Sequence, residues 1–156
     1  MKNILDKATL WLSDTFDTET QQEIQQLISS DSNDLTDRFY KDLEFGTGGM
    51  RGMMGAGTNR INKYTLGKAT QGLSNYLKKS YPNEEIKVAI AYDCRHNSDT
   101  FSRLVAEVLS ANDIKVVVFE DLRPTPELSF AVNELNCHAG IVLTASHNPP
   151  EYNGYK

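Results

Sequence analysis

The stretch AGIVLTASHNPPEYNGYK, residues 139–156, is the part of the sequence that most directly indicates a fold. Ala139–Leu143 is short, apolar and β-prone, as in a buried strand, and it places Ser146 just beyond the carboxyl end of that strand. Open α/β sheets bind their ligands at that edge. Because the Pro-Pro pair cannot continue a strand ladder or a helix, and the later Asn-Gly pair favours a turn, we expect residues 146–156 to form an exposed loop.

Upstream of this stretch, apolar strands alternate with amphipathic helices. Residues 87–93 and 114–119 are predicted to form strands, and apolar residues recur at helical spacing after residue 62, after residue 98 and from 125 to about 136. Helices between strands imply a largely parallel sheet that is covered on both faces. We therefore predict an α/β fold with three layers, α/β/α, around a mostly parallel, mixed sheet.

The first 44 residues are predicted to form an N-terminal helical extension of three segments, because apolar residues recur there at helical spacing. Thr18 begins a capping-box pattern at the start of the second segment. In the same way, we expect Thr125 to cap the helix that Pro126 opens. The predicted organisation is thus an extension over residues 1–44, followed by an α/β domain over residues 45–156.

Composition excludes several classes of function. The chain has 16 basic and 21 acidic residues and a net charge of −5, opposite to the basic surface of a nucleic-acid binder. It has no apolar run near the roughly 20 residues that span a bilayer, and its first residues are charged, unlike a signal peptide. We expect a cytoplasmic protein with no nucleic-acid or membrane partner. Its two cysteines, Cys94 and Cys137, lack metal-ligand spacing and are interpreted as partly buried apolar residues.

A glycine-rich segment, FGTGGMRGMMGAGT, occupies residues 45–58, and its six glycines are too dense for a regular helix. The segment lacks the Gly-Lys-Ser/Thr ending of a P-loop, and Arg51 stands where the dinucleotide fingerprint requires a third glycine. What remains is a turn whose backbone N–H groups and one guanidinium could approach an anion.

The serine by itself leaves its chemistry open. No Gly-x-Ser-x-Gly elbow surrounds Ser146, as hydrolase chemistry would require. His147 is its neighbour in sequence, and adjacent side chains rarely face each other, so a protease-like Ser-His pair is disfavoured. An unrelated serine hydrolase is therefore the weakest of the functions considered.

Four segments together resemble the α-D-phosphohexomutases, the family of phosphoglucomutases and phosphomannomutases. The segment that begins at Thr144 is similar to the family's Thr-Ala/Gly-Ser-His-Asn-Pro signature with a lysine downstream. Residues 45–52 are similar to its Phe-Gly-Thr-Ser/Ala-Gly-hydrophobic-Arg-Gly motif, with glycine in place of the commoner serine or alanine. Residues 92–98 and the Pro-Thr-Pro at 124–126 add further similarity, so that the resemblance covers about residues 40–156.

The resemblance implies roles for five residues. Ser146 is expected to carry a phosphoryl group, His147 to act beside it, and Lys156 to serve as a general acid/base. Arg51 is expected to contact the phosphoserine and the substrate, with Thr47 as a weaker substrate-binding neighbour. A dianionic phosphate needs nearby cations, and Arg51, His147 and Lys156 are the groups that could supply them.

The resemblance also implies a reaction and a cofactor. The reaction is the interconversion of glucose 1-phosphate and glucose 6-phosphate, with glucose 1,6-bisphosphate as the intermediate and activator. One Mg²⁺ is expected, held mainly by an Asp-Gly-Asp-x-Asp-Arg loop of the family's next domain, which this sequence lacks. The phosphate on Ser146 is then the one metal ligand expected from this chain.

By this resemblance, residues 45–156 correspond to most of the first domain of the family, truncated at its C-terminal end. The implied partners are a phosphosugar and the remaining domains of the same polypeptide, and the fragment alone is expected to be inactive. A surface left uncovered by the missing domains favours self-association. The ending and the N-terminal extension are similar to the phosphoglucomutase and phosphopentomutase branch. Open alternatives are a stand-alone phosphosugar-binding or regulatory module, or a phosphopentomutase or phosphomannomutase fragment.

Overall fold

The computed structural model describes residues 2–30 and 33–156, and within them helices alternate with strands along most of the chain. Residues 1, 31 and 32 of the predicted extension lie outside the described residues. The elements in chain order are α1 (Lys2–Leu10), α2 (Thr18–Ser29), α3 (Asn33–Phe39), β1 (Met50–Met53), α4 (Lys63–Ser80), β2 (Lys87–Tyr92), α5 (Ser98–Ala111), β3 (Lys115–Val118), α6 (Thr125–Glu134), β4 (Ala139–Leu143) and β5 (Tyr152–Tyr155).

The strands form one five-stranded sheet in the order β1-β5-β4-β2-β3. Strand β2 pairs in parallel with both β3 and β4. Strand β5 runs antiparallel to β4 on one side and to β1 on the other. The predicted α/β fold with a mixed sheet is therefore confirmed.

Helices cover both faces of the sheet, and alternate residues of β2 belong to different cores. Val88 and Ile90 are fully buried in the large core beneath α4 and α5. Ala89 and Ala91 point the other way and pack in a smaller core with Leu128 of α6. This alternation follows from the two-residue repeat of a strand, and it gives the three predicted layers.

The C-terminal segment corrects a prediction from the sequence. Residues 152–155, expected in an exposed loop, form strand β5, whose last three residues are buried. The Asn-Gly pair does not turn there, because Gly154 lies directly opposite Arg51 of β1. A Cβ at Gly154 would lie 2.7 Å from the carbonyl oxygen of Thr144 and 2.8 Å from that of Met50. Glycine is therefore needed for the close approach of three strands.

Strand β1 corrects a second prediction, since residues 50–53 lie in the glycine-rich segment that was expected to be a turn. Met50 is 3% exposed and pairs with Tyr155, so this end of β1 is anchored in the large core. One turn lies before the strand at Gly46–Gly49, whose end residues exchange backbone hydrogen bonds of 3.1 Å, and residues 55–59 bend and turn after it.

Two helix starts differ from those predicted. Asp17, not Thr18, is the N-cap of α2, and its carboxylate accepts a hydrogen bond from the backbone N–H of Thr20. Pro124 occupies the N-cap position of α6, so Thr125 is the first helical residue and provides no side-chain cap. In both cases the cap lies one residue before the predicted one.

Helices α1, α2 and α3 pack together around Trp11, Ile24 and Phe39. Ala56 of the glycine-rich segment and Tyr64 of α4 complete this cluster, so the extension rests on the α/β domain. Tyr64 also donates a hydrogen bond of 2.5 Å to the Asp17 carboxylate. The junction thus combines an apolar cluster with a partly buried polar contact.

An apolar groove of about 880 Å³ lies between α4, the segment that precedes β1, and the adjoining parts of β4 and β5. Phe45 and Tyr76 border it and are 58% and 65% exposed. Exposed apolar surface of this kind favours association. The self-association predicted from the sequence stays a prediction, and this groove is the surface on which to test it.

Across the described ranges 2–30 and 33–156, no helix is both long enough and apolar enough to cross a membrane.

Candidate active site

The candidate site lies at the carboxyl ends of β2 and β4. From β2 the chain moves outward to β3, and it then returns across β2 to form β4 on the other side. The strand order therefore reverses between β2 and β4, and such a reversal opens a ligand-binding crevice in α/β sheets. The loop after β4 carries the serine predicted from the sequence, and the loop after β2 lies against it.

Ser146 adopts a left-handed backbone conformation, with φ of 59°, at the end of β4. Its side chain is exposed, whereas the preceding residue, Ala145, is fully buried. This conformation is sterically unfavourable for a residue other than glycine, and such strain is concentrated at functional sites. The buried strand end and the strained turn together present the Ser146 hydroxyl to solvent.

Polar contacts from the loop after β2 fix the backbone that leads from β4 to Ser146. The backbone N–H of Ser146 donates to the hydroxyl of Thr144 at 2.9 Å, and that hydroxyl donates in turn to the carboxylate of Asp93. The Asp93 carboxylate also accepts hydrogen bonds of 3.0 Å from the hydroxyl of Ser98 and the backbone N–H of Arg95. Asp93 is therefore occupied by structural contacts.

The Arg95 side chain extends under the serine loop and binds only backbone oxygens there. Its Nη2 donates to the carbonyls of Ser146 and Asn148 at 2.8 and 2.6 Å. Its Nη1 donates to the carbonyls of Pro149 and Tyr152 at 2.9 and 3.0 Å. The sequence did not indicate that this arginine holds the serine loop.

Asn153 is another residue whose contribution the sequence did not indicate. It was expected in a turn, but it is fully buried, and its side-chain amide donates to the carbonyl of His96 and the hydroxyl of Ser98. Asn153 therefore ties the start of β5 to the loop after β2. From the sequence alone, an Asn-Gly pair in a buried strand cannot be distinguished from an Asn-Gly pair in a turn.

His147 lies beside the serine, with its Nδ1 atom 3.4 Å from the Ser146 hydroxyl oxygen. Both side chains are exposed. The distance is longer than a normal hydrogen bond between these atom types, and no carboxylate in the described part of the chain bonds to the ring. The pair lacks the orienting third group of a protease triad.

Arg51 connects the glycine-rich turn to the serine loop. Its Nε donates to the carbonyl of Gly48 at 3.2 Å, and its Nη1 lies 3.5 Å from the side-chain oxygen of Asn148. A Cβ at Gly48 would meet the end of the Arg51 side chain, which would have to shift to accommodate it. The structure thus brings Arg51 to the same loop as Ser146, and both of its contacts are weak enough to exchange for an anion.

Lys156 follows β5 and is half-buried, with its backbone paired to Val142 in both directions. Burial lowers the pKa of its ammonium group, and the positive charges of Arg51 and Arg95 lower it further against the opposing charge of Asp93. A lysine whose pKa is lowered in this way is suited to proton transfer.

Thr47 makes no hydrogen bond to the serine loop among the described residues. It lies exposed at the tip of the Gly46–Gly49 turn. Its proposed substrate contact therefore depends on a ligand that bridges the turn and the serine loop.

The residues described here do not form a metal site. Within residues 2–30 and 33–156, no group of three or more histidine, cysteine, aspartate or glutamate side chains is placed to hold a metal ion. Asp93 is the acidic side chain nearest the serine in the hydrogen-bond network, and it is saturated by protein donors. The donor set of an Mg²⁺ ion is thus not assembled by these residues.

Comparison with known proteins agrees with this geometry. Residues 42–156 match the family model "Phosphoglucomutase/phosphomannomutase, alpha/beta/alpha domain I". The chain therefore belongs to the α-D-phosphohexomutase family and contains its N-terminal, serine-bearing domain.

Among the curated relatives, the phosphoglucomutase of Staphylococcus epidermidis (strain ATCC 35984) is 39% identical over 160 residues, a match that covers 100% of this chain and 27% of that protein. The phosphoglucomutase of Staphylococcus aureus (strain bovine RF122) is 42% identical over 147 residues, covering 94% of this chain and 26% of that protein. The chain thus spans about a quarter of the length of these relatives.

A solved structure, that of a putative phosphomannomutase from Thermus thermophilus, superposes with a TM-score of 0.67 at 34% sequence identity. The match covers 74% of this chain and 25% of that one. The fold and the sequence therefore point to the same family.

Proposed function

We propose that this chain is the catalytic-serine domain of a phosphoglucomutase, in which Ser146 carries the phosphoryl group between positions of a glucose phosphate. The phosphoserine donates its phosphoryl group to the free hydroxyl of the sugar phosphate, which gives glucose 1,6-bisphosphate. Ser146 then accepts the other phosphoryl group of that intermediate, and the isomeric monophosphate leaves. The phosphoserine is regenerated, so each turnover conserves phosphate.

The observation that carries this proposal is the exposed, left-handed Ser146 at the reversal of strand order. A nucleophile that must reach a large, charged substrate needs an exposed position on a rigid support. The buried strand β4 and the contacts of Asp93 and Arg95 provide that support.

Charge and proton chemistry fit the same proposal. Arg51 can neutralise a phosphate on Ser146 or on the substrate, since its present contacts are a carbonyl and an amide oxygen at 3.2 and 3.5 Å. Lys156, whose pKa is lowered, takes the proton from the attacking sugar hydroxyl and returns it to the leaving oxygen. His147 contributes a further donor beside Ser146.

The rest of the active site belongs, in this proposal, to the remaining domains of a longer polypeptide. The relatives are about four times as long as this chain, and the described residues form no metal site. Mg²⁺, when bound, would neutralise charge on the transferring phosphoryl group, and this chain would offer it only an oxygen of the Ser146 phosphate. We expect the chain alone to be inactive and the whole protein to act in the cytoplasm.

The test is a chimera in which this chain replaces the matching N-terminal segment of the Staphylococcus aureus phosphoglucomutase. We expect the chimera to convert glucose 1-phosphate to glucose 6-phosphate, and Ser146→Ala to abolish both the turnover and the phosphoryl group that mass spectrometry finds on the protein. Ser129→Ala, at an exposed serine of α6, is the matched control. A Ser146→Ala chimera that is folded by circular dichroism and active would overturn the proposal.

The Thermus relative is named a putative phosphomannomutase, which keeps mannose phosphate as a second candidate substrate. Because a chimera takes its sugar contacts largely from the donor domains, the choice between sugars needs the native remainder of this polypeptide. Its turnover of glucose, mannose and pentose phosphates, compared at equal concentration, decides the substrate.

A further inference from the structure

We propose that Arg95 is a positioning residue that fixes the conformation of the serine loop before any phosphate or substrate binds. This inference rests on the proposed function of Ser146, but its structural part concerns the loop alone. The serine loop comprises residues 144–152, the last of which is the first residue of β5, and the loop after β2 comprises residues 93–97.

Apart from Arg95, backbone hydrogen bonds help to shape the serine loop: two close short turns within it, and one joins Glu151 to Met54. The loop contains two consecutive prolines, and most of its side chains are exposed. Surface loops of this kind are generally more mobile than the elements they connect. Four of its carbonyl oxygens accept hydrogen bonds from the Arg95 guanidinium. They belong to Ser146, Asn148, Pro149 and Tyr152.

The guanidinium uses four of its five donors in this contact. A guanidinium has five N–H groups in a fixed planar fork. The four on Nη1 and Nη2 match the four carbonyls at 2.6–3.0 Å, and Nε lies 3.6 Å from the Asp93 carboxylate. Because the side chain is only 11% exposed and its donors are engaged, Arg95 holds the loop and leaves phosphate binding to Arg51.

The contacts fall on both sides of the strained residue. Arg95 binds the carbonyl of Ser146, while the N–H of Ser146 is bound by Thr144, whose hydroxyl is held by Asp93. Both peptide groups of Ser146 are therefore fixed from the loop after β2, which keeps φ at 59°. Strain of this kind persists only where the surroundings over-determine it.

Lysine cannot reproduce this contact, because an ammonium group is a compact point charge with three donors and no planar fork. Arg95→Lys therefore keeps the charge and most of the volume but removes the simultaneous grip on four carbonyls. Arg103→Lys, at an exposed arginine of α5, makes the same chemical change away from the loop and is the matched control.

The first measurement uses the 156-residue chain and does not depend on activity. By NMR, we expect the three-bond backbone coupling constants of Ser146 to indicate a positive φ. Arg95→Lys should shift these coupling constants toward the values of a negative φ and broaden the amide signals of the serine loop. The amides of β2 and β4 should keep their shifts. An Arg95→Lys chain whose Ser146 coupling is unchanged, or whose central strands change as much as the loop, overturns the proposal.

The second measurement uses the chimera described above. Misplacing a reacting group by about 1 Å costs about 100-fold in rate, so Arg95→Lys should lower kcat by about that factor. KM for glucose 1-phosphate should stay unchanged, since Arg95 does not touch the substrate. Guanidinium ion should partly restore kcat to Arg95→Ala and leave Ser146→Ala inactive.

The two measurements separate the two proposals. If the Ser146→Ala chimera is active, the proposed function fails, and the NMR result still decides whether Arg95 holds the loop. If Ser146 is required but Arg95→Lys raises KM and leaves kcat unchanged, the positioning role fails while the proposed function stands.

Discussion

At the residue scale, the charges around Lys156 decide how it can act. Burial lowers the pKa of its ammonium group, and the positive charge of Arg51 lowers it further. In the folded chain Lys156 therefore loses its proton at a lower pH than an ordinary lysine, so a larger fraction is available as a base near neutral pH. Phosphate on Ser146 would add negative charge and oppose this effect.

We expect Arg51→Gln to raise the pKa of Lys156 toward its ordinary value, because one of the causes that depress it is removed. Burial remains, so the pKa should stay below that of an exposed lysine. An NMR titration of the lysine ε-methylene groups measures the change, with Arg103→Gln as the control. An unchanged titration of Lys156 would mean that the charge of Arg51 does not reach it.

The residue scale also shows what the sequence could and could not predict about the site. Ser146, Arg51 and Lys156 were predicted as site residues from local motifs, and the structure places Arg51 in contact with the serine loop and within electrostatic reach of Lys156. Arg95 was harder, because its acceptors are backbone carbonyls, which are the same for every residue type. When a loop is held through its carbonyl oxygens, its own side chains give no sign of the contact.

At the scale of elements, the helices and the mainly apolar strands were predictable, and the two polar, turn-like strands were not. Strands β2, β3 and β4 consist mainly of apolar residues, whereas β1 lies in a glycine-rich segment and β5 contains an Asn-Gly pair. Their strand conformation comes from pairing with each other across about 100 residues of sequence. Such pairing leaves no local pattern to read.

We expect Gly154→Ala to destabilise the chain by about 2 kcal/mol, since the new methyl group would press on two backbone oxygens that cannot move independently. Gly67→Ala is the matched control. It lies within α4 with no atom within 4 Å of an added Cβ, and it should stabilise the chain by about 0.5–1 kcal/mol through helix propensity. Urea unfolding measures both, and a Gly154→Ala chain as stable as the parent would contradict the close packing of β5.

At the scale of the whole molecule, the N-terminal extension is joined to the α/β domain through Asp17. Hydrogen bonds from Thr20 and Tyr64, and the ion pair with Lys63, hold the pKa of this carboxyl far below its ordinary value of 3.8. A depressed carboxyl pKa contributes stability that is complete above the unfolded value and is lost as the pH falls below it. The junction should therefore weaken in acid, below about pH 4.

We expect Asp17→Asn to remove part of the acid sensitivity of the extension, and to lower its stability at neutral pH. Trp11 is the single tryptophan of the chain, and it is 7% exposed in the apolar cluster of the extension. Its fluorescence during urea unfolding from about pH 3 to about pH 7, a range that spans the unfolded carboxyl pKa, reports on this junction. Asp6→Asn, at an exposed aspartate of α1, is the control, and equal pH profiles for the two variants would exclude Asp17 as the source.

The grip of Arg95 has a consequence for transplanting this site into other proteins. The serine loop is contiguous in sequence, which makes it look transferable as one segment. Its shape is supplied by an arginine 51 residues away from Ser146, on the exit of a neighbouring strand. A graft of residues 144–152 would carry Ser146 without the side chain that fixes its conformation. Transplanting the proposed site therefore requires the adjacent parallel strands β2 and β4 together with the loops that follow them.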